Sequence, residues 1–183
     1  MRPKHYYLAK EAERLLESSD LSGAAAKYLE AYKSMDHHKW HKQRYSIFCQ
    51  HTQIVRSEGL AEHVEYMQQV LKDSDEPPHY RLEAAYTVGA VQALEGDPKA
   101  GETYRLGLGM ADRAIDEERQ VTNDQTVGDC LEVTRQAITE HLAELQGSDV
   151  VKKSNGKDKA NTEHLAELQG SDVVKKSNGK DKS

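Results

Sequence analysis

The chain has 183 residues, a formal net charge of −6 with histidine neutral, 31% charged residues and 37% hydrophobic ones, which leaves room for one domain and one sizeable core. The acidic balance argues against a nucleic-acid binder. No apolar run approaches the roughly 18–20 residues of a membrane span, and the start MRPKHYYLAKEAERLL has no uninterrupted apolar stretch of the secretory kind.

Hydrophobic spacing predicts helices almost throughout, and neither strand alternation nor a two-residue hairpin turn is present. The first predicted helix spans about His5–Ser18, with Leu8, Ala12, Leu15 and Leu16 on one face. Ser18-Ser19-Asp20 breaks it with capping residues. The second runs about Ser22–Met35 and carries Ala24, Tyr28, Ala31 and Tyr32. The third covers about Lys39–Arg56, Glu58-Gly59 turns the chain, and the fourth covers about Leu60–Lys72. The segment Asp73–Pro78 ends that helix. A fifth helix follows over about Tyr80–Leu94, and Glu95-Gly96-Asp97-Pro98 turns the chain again, with Pro98 expected near the first position of the sixth. The sixth reaches about Arg119, weakened by Gly101, Gly107 and Gly109. The seventh, about Gln125–Gln146, has Val127, Leu131, Thr134, Ile138, Leu142 and Leu145 in one stripe, and Gly147 is placed to stop it.

A polar, Lys-rich tail completes the chain. The segment Thr139–Lys159, TEHLAELQGSDVVKKSNGKDK, recurs letter for letter at Thr162–Lys182. Repeats that have been part of a fold for long diverge, so identity marks a copy added to a fold already complete. The tail carries too little apolar area to offset its ordering entropy, and 148–183 is expected to be disordered beside a helical domain at 1–147.

The turns Ser19-Asp20-Leu21, Glu58-Gly59-Leu60 and Gly96-Asp97-Pro98 recur roughly every 38 residues, near the period of about 34 of one helical-repeat class. On these residues the chain resembles the tetratricopeptide repeat family. In the first unit Ala12, Leu15, Ala24, Tyr28 and Ala31 match the family's small, large, small, aromatic and small positions. In the third, Gly89, Gly96-Asp97 and Gly101 fit, although Arg105 stands where an aromatic is expected. In the second, His51 and His63 occupy the small positions. The resemblance covers about residues 5–115. It implies an all-α array of three antiparallel helix hairpins closed by a capping helix; a generic helical bundle is the alternative. In such arrays the first helices of the hairpins line a concave groove. That places Tyr6, Lys10 and Glu13, then Tyr45, Phe48, Thr52 and Arg56, then Tyr86, Thr87 and Ala90 in the groove, with Phe48 equally suited to the core.

His37 and His41 stand at i, i+4, a spacing that can seat a metal, but no further ligand pattern follows and a histidine cluster without metal is the expectation. Cys49 and Cys130 are too few and too far apart for a disulfide framework. They read as small hydrophobes in a reducing, cytoplasmic protein. Gly107-Leu-Gly-Met follows a helix and lacks the third glycine of a dinucleotide fingerprint. Some tetratricopeptide proteins clamp an EEVD-type carboxylate. The matching positions here are Ala9, Glu13, Cys49, Glu83 and Tyr86, which lack the cationic donors that task needs. The expectation is therefore a non-enzymatic scaffold that binds a protein or peptide other than an EEVD tail, with no cofactor, metal, nucleic acid or membrane. Two alternatives stay open: a helical enzyme or metal-binding protein with a histidine site, and the repeat portion of a larger multidomain protein.

Overall fold

A computed structural model of the chain describes residues 1–36, 39–122 and 125–148, with the backbone alone at 121 and 122. Every regular element among them is an α-helix: α1 Lys4–Glu17, α2 Leu21–Lys33, α3 His41–Glu58, α4 Ala61–Lys72, α5 Pro78–Glu95, α6 Ala100–Thr122 and α7 over 125–148. All the predicted helices are present, with ends displaced by a turn or less. None is long and apolar enough to cross a membrane. The chain divides into two compact units, 1–142 and 143–183; of the second, 143–148 is described and continues α7. Gly147 lies at the end of the described part of that helix, one residue before Ser148. His37, the 149–183 part of the predicted tail and the second copy of the repeated segment lie outside the described residues.

The three hairpin turns are built alike. After α1, Ser19 adopts φ 62°, and Asp20 N–H donates to the Leu15 carbonyl and Ser19 N–H to that of Leu16. After α3, Gly59 adopts φ 61° and Leu60 N–H reaches the Val55 carbonyl. After α5, Gly96 adopts φ 72°, with Asp97 N–H to Gln92 and Gly96 N–H to Ala93. Each is a helix stop in which a left-handed residue turns the next N–H back onto an orphan carbonyl. Asp20 then caps α2 by accepting from Gly23 N–H at 2.9 Å. The proline expectation is corrected in position: Pro78 opens α5, where its missing N–H costs nothing, while Pro98 precedes α6 by a short turn.

Packing follows side-chain size. At the α1–α2 crossing Ala12, Ala24 and Ala25 are fully buried, with Tyr28 and Ile54 beside them. Between α5 and α6, a methyl group on Gly89 would lie 2.5 Å from the Tyr104 ring, so glycine is what lets that ring lie against α5. Gly107, read from sequence as a weak point of α6, is a contact point: a methyl there would meet Ala85 at 2.9 Å and Ile138 at 3.3 Å.

The exception is α3–α4. Here α3 makes fewer close main-chain approaches to its hairpin partner than to α2 or α5. His51 and His63 fill the crossing, their ring centroids 4.9 Å apart. Two imidazoles hold backbones apart where alanines would let them meet.

Helix α5 is the centre of the unit, buried on nearly all sides from His79 to Gln92. Tyr32, Phe48 and Tyr80 form a triangle joining α2, α3 and α5, with centroids 4.9, 5.5 and 5.0 Å apart. The Arg44 guanidinium, itself buried, lies 3.9 Å over Tyr32 and 4.9 Å over Tyr80. A cation over two ring faces in a water-poor site is a favourable placement.

Candidate functional site on the first helices of the hairpins

The residues predicted to line a groove fall into two groups. On α1, Lys10 and Glu13 are exposed and paired with each other, and Tyr6 is half-buried under the Arg2 guanidinium at 4.3 Å. On α3 and α5, Tyr45, Phe48, Thr52, Thr87 and Ala90 are buried, and Arg56 and Tyr86 are half-buried.

The reason is a polar network. Arg56 Nη1 donates to Glu83 Oε2 and Thr87 Oγ1, each at 3.1 Å, while its guanidinium sits 4.3 Å over the Tyr86 ring. From α7, Thr134 Oγ1 donates to the other oxygen of Glu83. His141 meets Tyr86 with ring centroids 5.5 Å apart. Helix α7 thus lies over this part of α5. Of its predicted stripe, Val127, Leu131, Thr134 and Ile138 are buried, while Leu142 and Leu145 are only half-buried. A buried carboxylate held by a guanidinium and the Thr134 hydroxyl is a structural arrangement, stabilised by charge-assisted hydrogen bonds in low dielectric.

What remains open is one position round the helix. A cleft of about 440 Å³ separates α3 from α7. Helix α3 lines it with Lys42, Ser46, Cys49, Gln50 and Gln53, α7 with Thr126, Val127 and Cys130, and Tyr45 closes its floor. The volume is that of a site for a ligand side chain or small molecule. Its floor is apolar and aromatic and its rim is amide, hydroxyl and ammonium, the pattern that buries an anchor and hydrogen-bonds its backbone.

Cys49 and Cys130 are unpaired, and the structure brings them to the same cleft. Burial, and next the Glu83 carboxylate, push the Cys49 thiol well above its usual range. It is therefore a poor nucleophile. Burial does the same to the Tyr45 hydroxyl.

Sequence reading took the stripe 45, 48, 52, 56 for the groove, and the accessible stripe is 42, 46, 50, 53. Both have helical spacing. Apolar and aromatic content marked the first, and that content marks a core as readily as an interface. The polar signal of the second, Ser46, Gln50 and Gln53, looks like any solvated face until α7 is placed opposite.

A second cleft, about 700 Å³, opens between α4, α5 and α6 beside Lys72, Lys99, Glu102 and Arg105. Its charges are mixed and it lies on the second helices of the hairpins.

One further cluster was not legible. His41 opens α3, His79 is the second residue of α5 behind Pro78, and Glu118 lies near the end of α6. Among the described residues they are the one group of three whose nitrogen and oxygen atoms converge as metal ligands do, all within 4.8 Å of one another. His41 Nε2 is 2.6 Å from Glu118 Oε1, and His79 Nδ1 is 3.3 Å from Glu118 Oε2.

No family model matches the chain, and comparison with curated proteins and with solved structures returns no match.

Proposed function

We propose that this chain is a non-catalytic binding module, a helical hairpin array of the tetratricopeptide kind. It holds an extended segment of a protein partner in the cleft between α3 and α7. The observation that carries this reading is the cleft itself: an aromatic and aliphatic floor, a rim of amide and hydroxyl groups, and walls from rigid helices. The array reading is supported by three turns closed by the same hydrogen bonds and by the fully buried small residues Ala12 and Ala24 at the first crossing. The ligand is not an EEVD-type carboxylate in this proposal, because Glu83 is engaged by Arg56 and Thr134 and no cationic set replaces the clamp. Two unpaired thiols suit a reducing, cytoplasmic setting.

The test is selection of binding peptides from a displayed library on the full chain, followed by measurement on Ser46→Trp. Ser46 is exposed, so the indole fills the cleft without disturbing the core. Selected peptides are expected to lose at least tenfold in affinity while the melting temperature stays within a degree or two. Undiminished binding to Ser46→Trp would remove the cleft from the account.

A further inference from the structure

We propose that His41, His79 and Glu118 form a mononuclear site for a borderline divalent transition ion of the zinc type. The donor set is the first argument. Two imidazole nitrogens and one carboxylate oxygen suit zinc, cobalt or nickel, whereas magnesium and calcium favour oxygen-only shells. The second is geometry. At metal–ligand distances of about 2.0–2.2 Å, tetrahedral ligands stand roughly 3.4 Å apart. The present separations from the two oxygens of Glu118 to the imidazoles are 2.6 Å, shorter than that value, and 3.3 Å, close to it, and the ligand atoms all lie within 4.8 Å. Small side-chain adjustments, chiefly a lengthening of the His41–Glu118 contact, would convert this arrangement into a coordination sphere.

The third argument is rigidity. The side chains of His79 and Glu118 are 5% and 4% exposed. The His79 ring is fixed between Tyr45 at 5.2 Å and Tyr80 at 4.3 Å, and it meets His41 at 5.3 Å. His41 is the exposed member, with 29% of its side chain accessible, so an ion reaches the site from that side and keeps a water there as its fourth ligand. The three ligands come from α3, α5 and α6, so a bound ion ties together helices far apart in sequence. The site is independent of the peptide-binding reading and stands or falls by its own measurements.

The full chain, freed of metal with a chelator, is titrated with Zn²⁺ by calorimetry and with Co²⁺ by visible absorption. One equivalent is expected to bind, with the intense d–d bands of a four-coordinate cobalt site. Saturating Zn²⁺ is expected to raise the melting temperature by about 5 °C or more. His41→Ala alters the most exposed ligand and is expected to fold; it should weaken Zn²⁺ binding at least tenfold and abolish the thermal shift. Glu118→Gln should do the same if it folds. His37→Ala/His38→Ala, which removes the neighbouring histidines, should leave both readouts unchanged. Absence of binding at micromolar Zn²⁺ overturns the proposal. So does binding that survives His41→Ala, or binding lost in the His37→Ala/His38→Ala chain.

Discussion

The first and second hairpins solve the same packing problem in opposite ways. At the α1–α2 crossing, alanines at 12, 24 and 25 are fully buried and the backbones close on each other. Between α3 and α4, which approach each other less closely, the rings of His51 and His63 are in contact. One crossing is stabilised by apolar contact and is indifferent to pH. The other contains two titratable rings. His51 Nδ1 donates to the Ala25 carbonyl at 2.9 Å, which makes Nε2 the unprotonated nitrogen, and that buried atom has no hydrogen-bond partner among the described residues. Two hairpins of one chain therefore respond to different stresses, although their turns are closed in the same manner.

The largest effect expected from this difference is acid destabilisation located at the second crossing. Burial, opposed only in part by the bond to Ala25, lowers His51 from its ordinary 6.5 to about 4, and burial lowers His63 in the same direction. The unfolded chain takes up a proton near pH 6.5 and the folded chain only near pH 4. Stability is thus full above pH 6.5 and falls as the pH drops through that window. The loss is complete below pH 4, at roughly 3 kcal/mol for His51. Urea unfolding at pH 7 and pH 4.5 measures it. His51→Asn keeps a donor for the Ala25 carbonyl and does not titrate, so it should show a clearly smaller loss between the two pH values. An equal loss in both chains would mean the crossing is not the acid-sensitive point.

The converse probe is steric. Ala24→Leu overfills the first crossing and is expected to cost roughly 1–3 kcal/mol at any pH, since no space adjoins a fully buried alanine there. A melting temperature equal to that of the parent would show that the α1–α2 packing described is wrong.

The turns allow a finer comparison. Ser19 and Gly59 hold the same left-handed conformation at the ends of α1 and α3, a region where a Cβ is strained. Ser19→Gly is expected to stabilise by about 0.5–1 kcal/mol, and Gly59→Ala to destabilise by about 1 kcal/mol. Matching signs in thermal unfolding would contradict the shared geometry.

The parts of this fold that were legible were local. Gly59 and Gly96 mark turns because glycine tolerates positive φ, and Ser18-Ser19-Asp20 marks one through capping chemistry. The α7 stripe was readable because Val127, Leu131, Thr134 and Ile138 repeat at helical spacing. Other features depend on what stands opposite. Gly107 reads as a weakness until Ala85 and Ile138 are found against it. On α3 the sequence signal reached the cleft only at Tyr45, because Phe48 is taken up by Tyr32 of α2 and Tyr80 of α5. His79 and Glu118 carry no motif at all, and only the meeting of three helices relates them to His41.

The central claim, that a partner segment occupies the cleft between α3 and α7, is tested most directly by mapping. Amide shifts of the isotopically labelled chain, titrated with a peptide selected on it, should change most at 46–53 of α3 and 126–130 of α7. Changes concentrated on Tyr6, Lys10 and Glu13 of α1, or on Lys72, Lys99 and Arg105 of the opposite face, would contradict it.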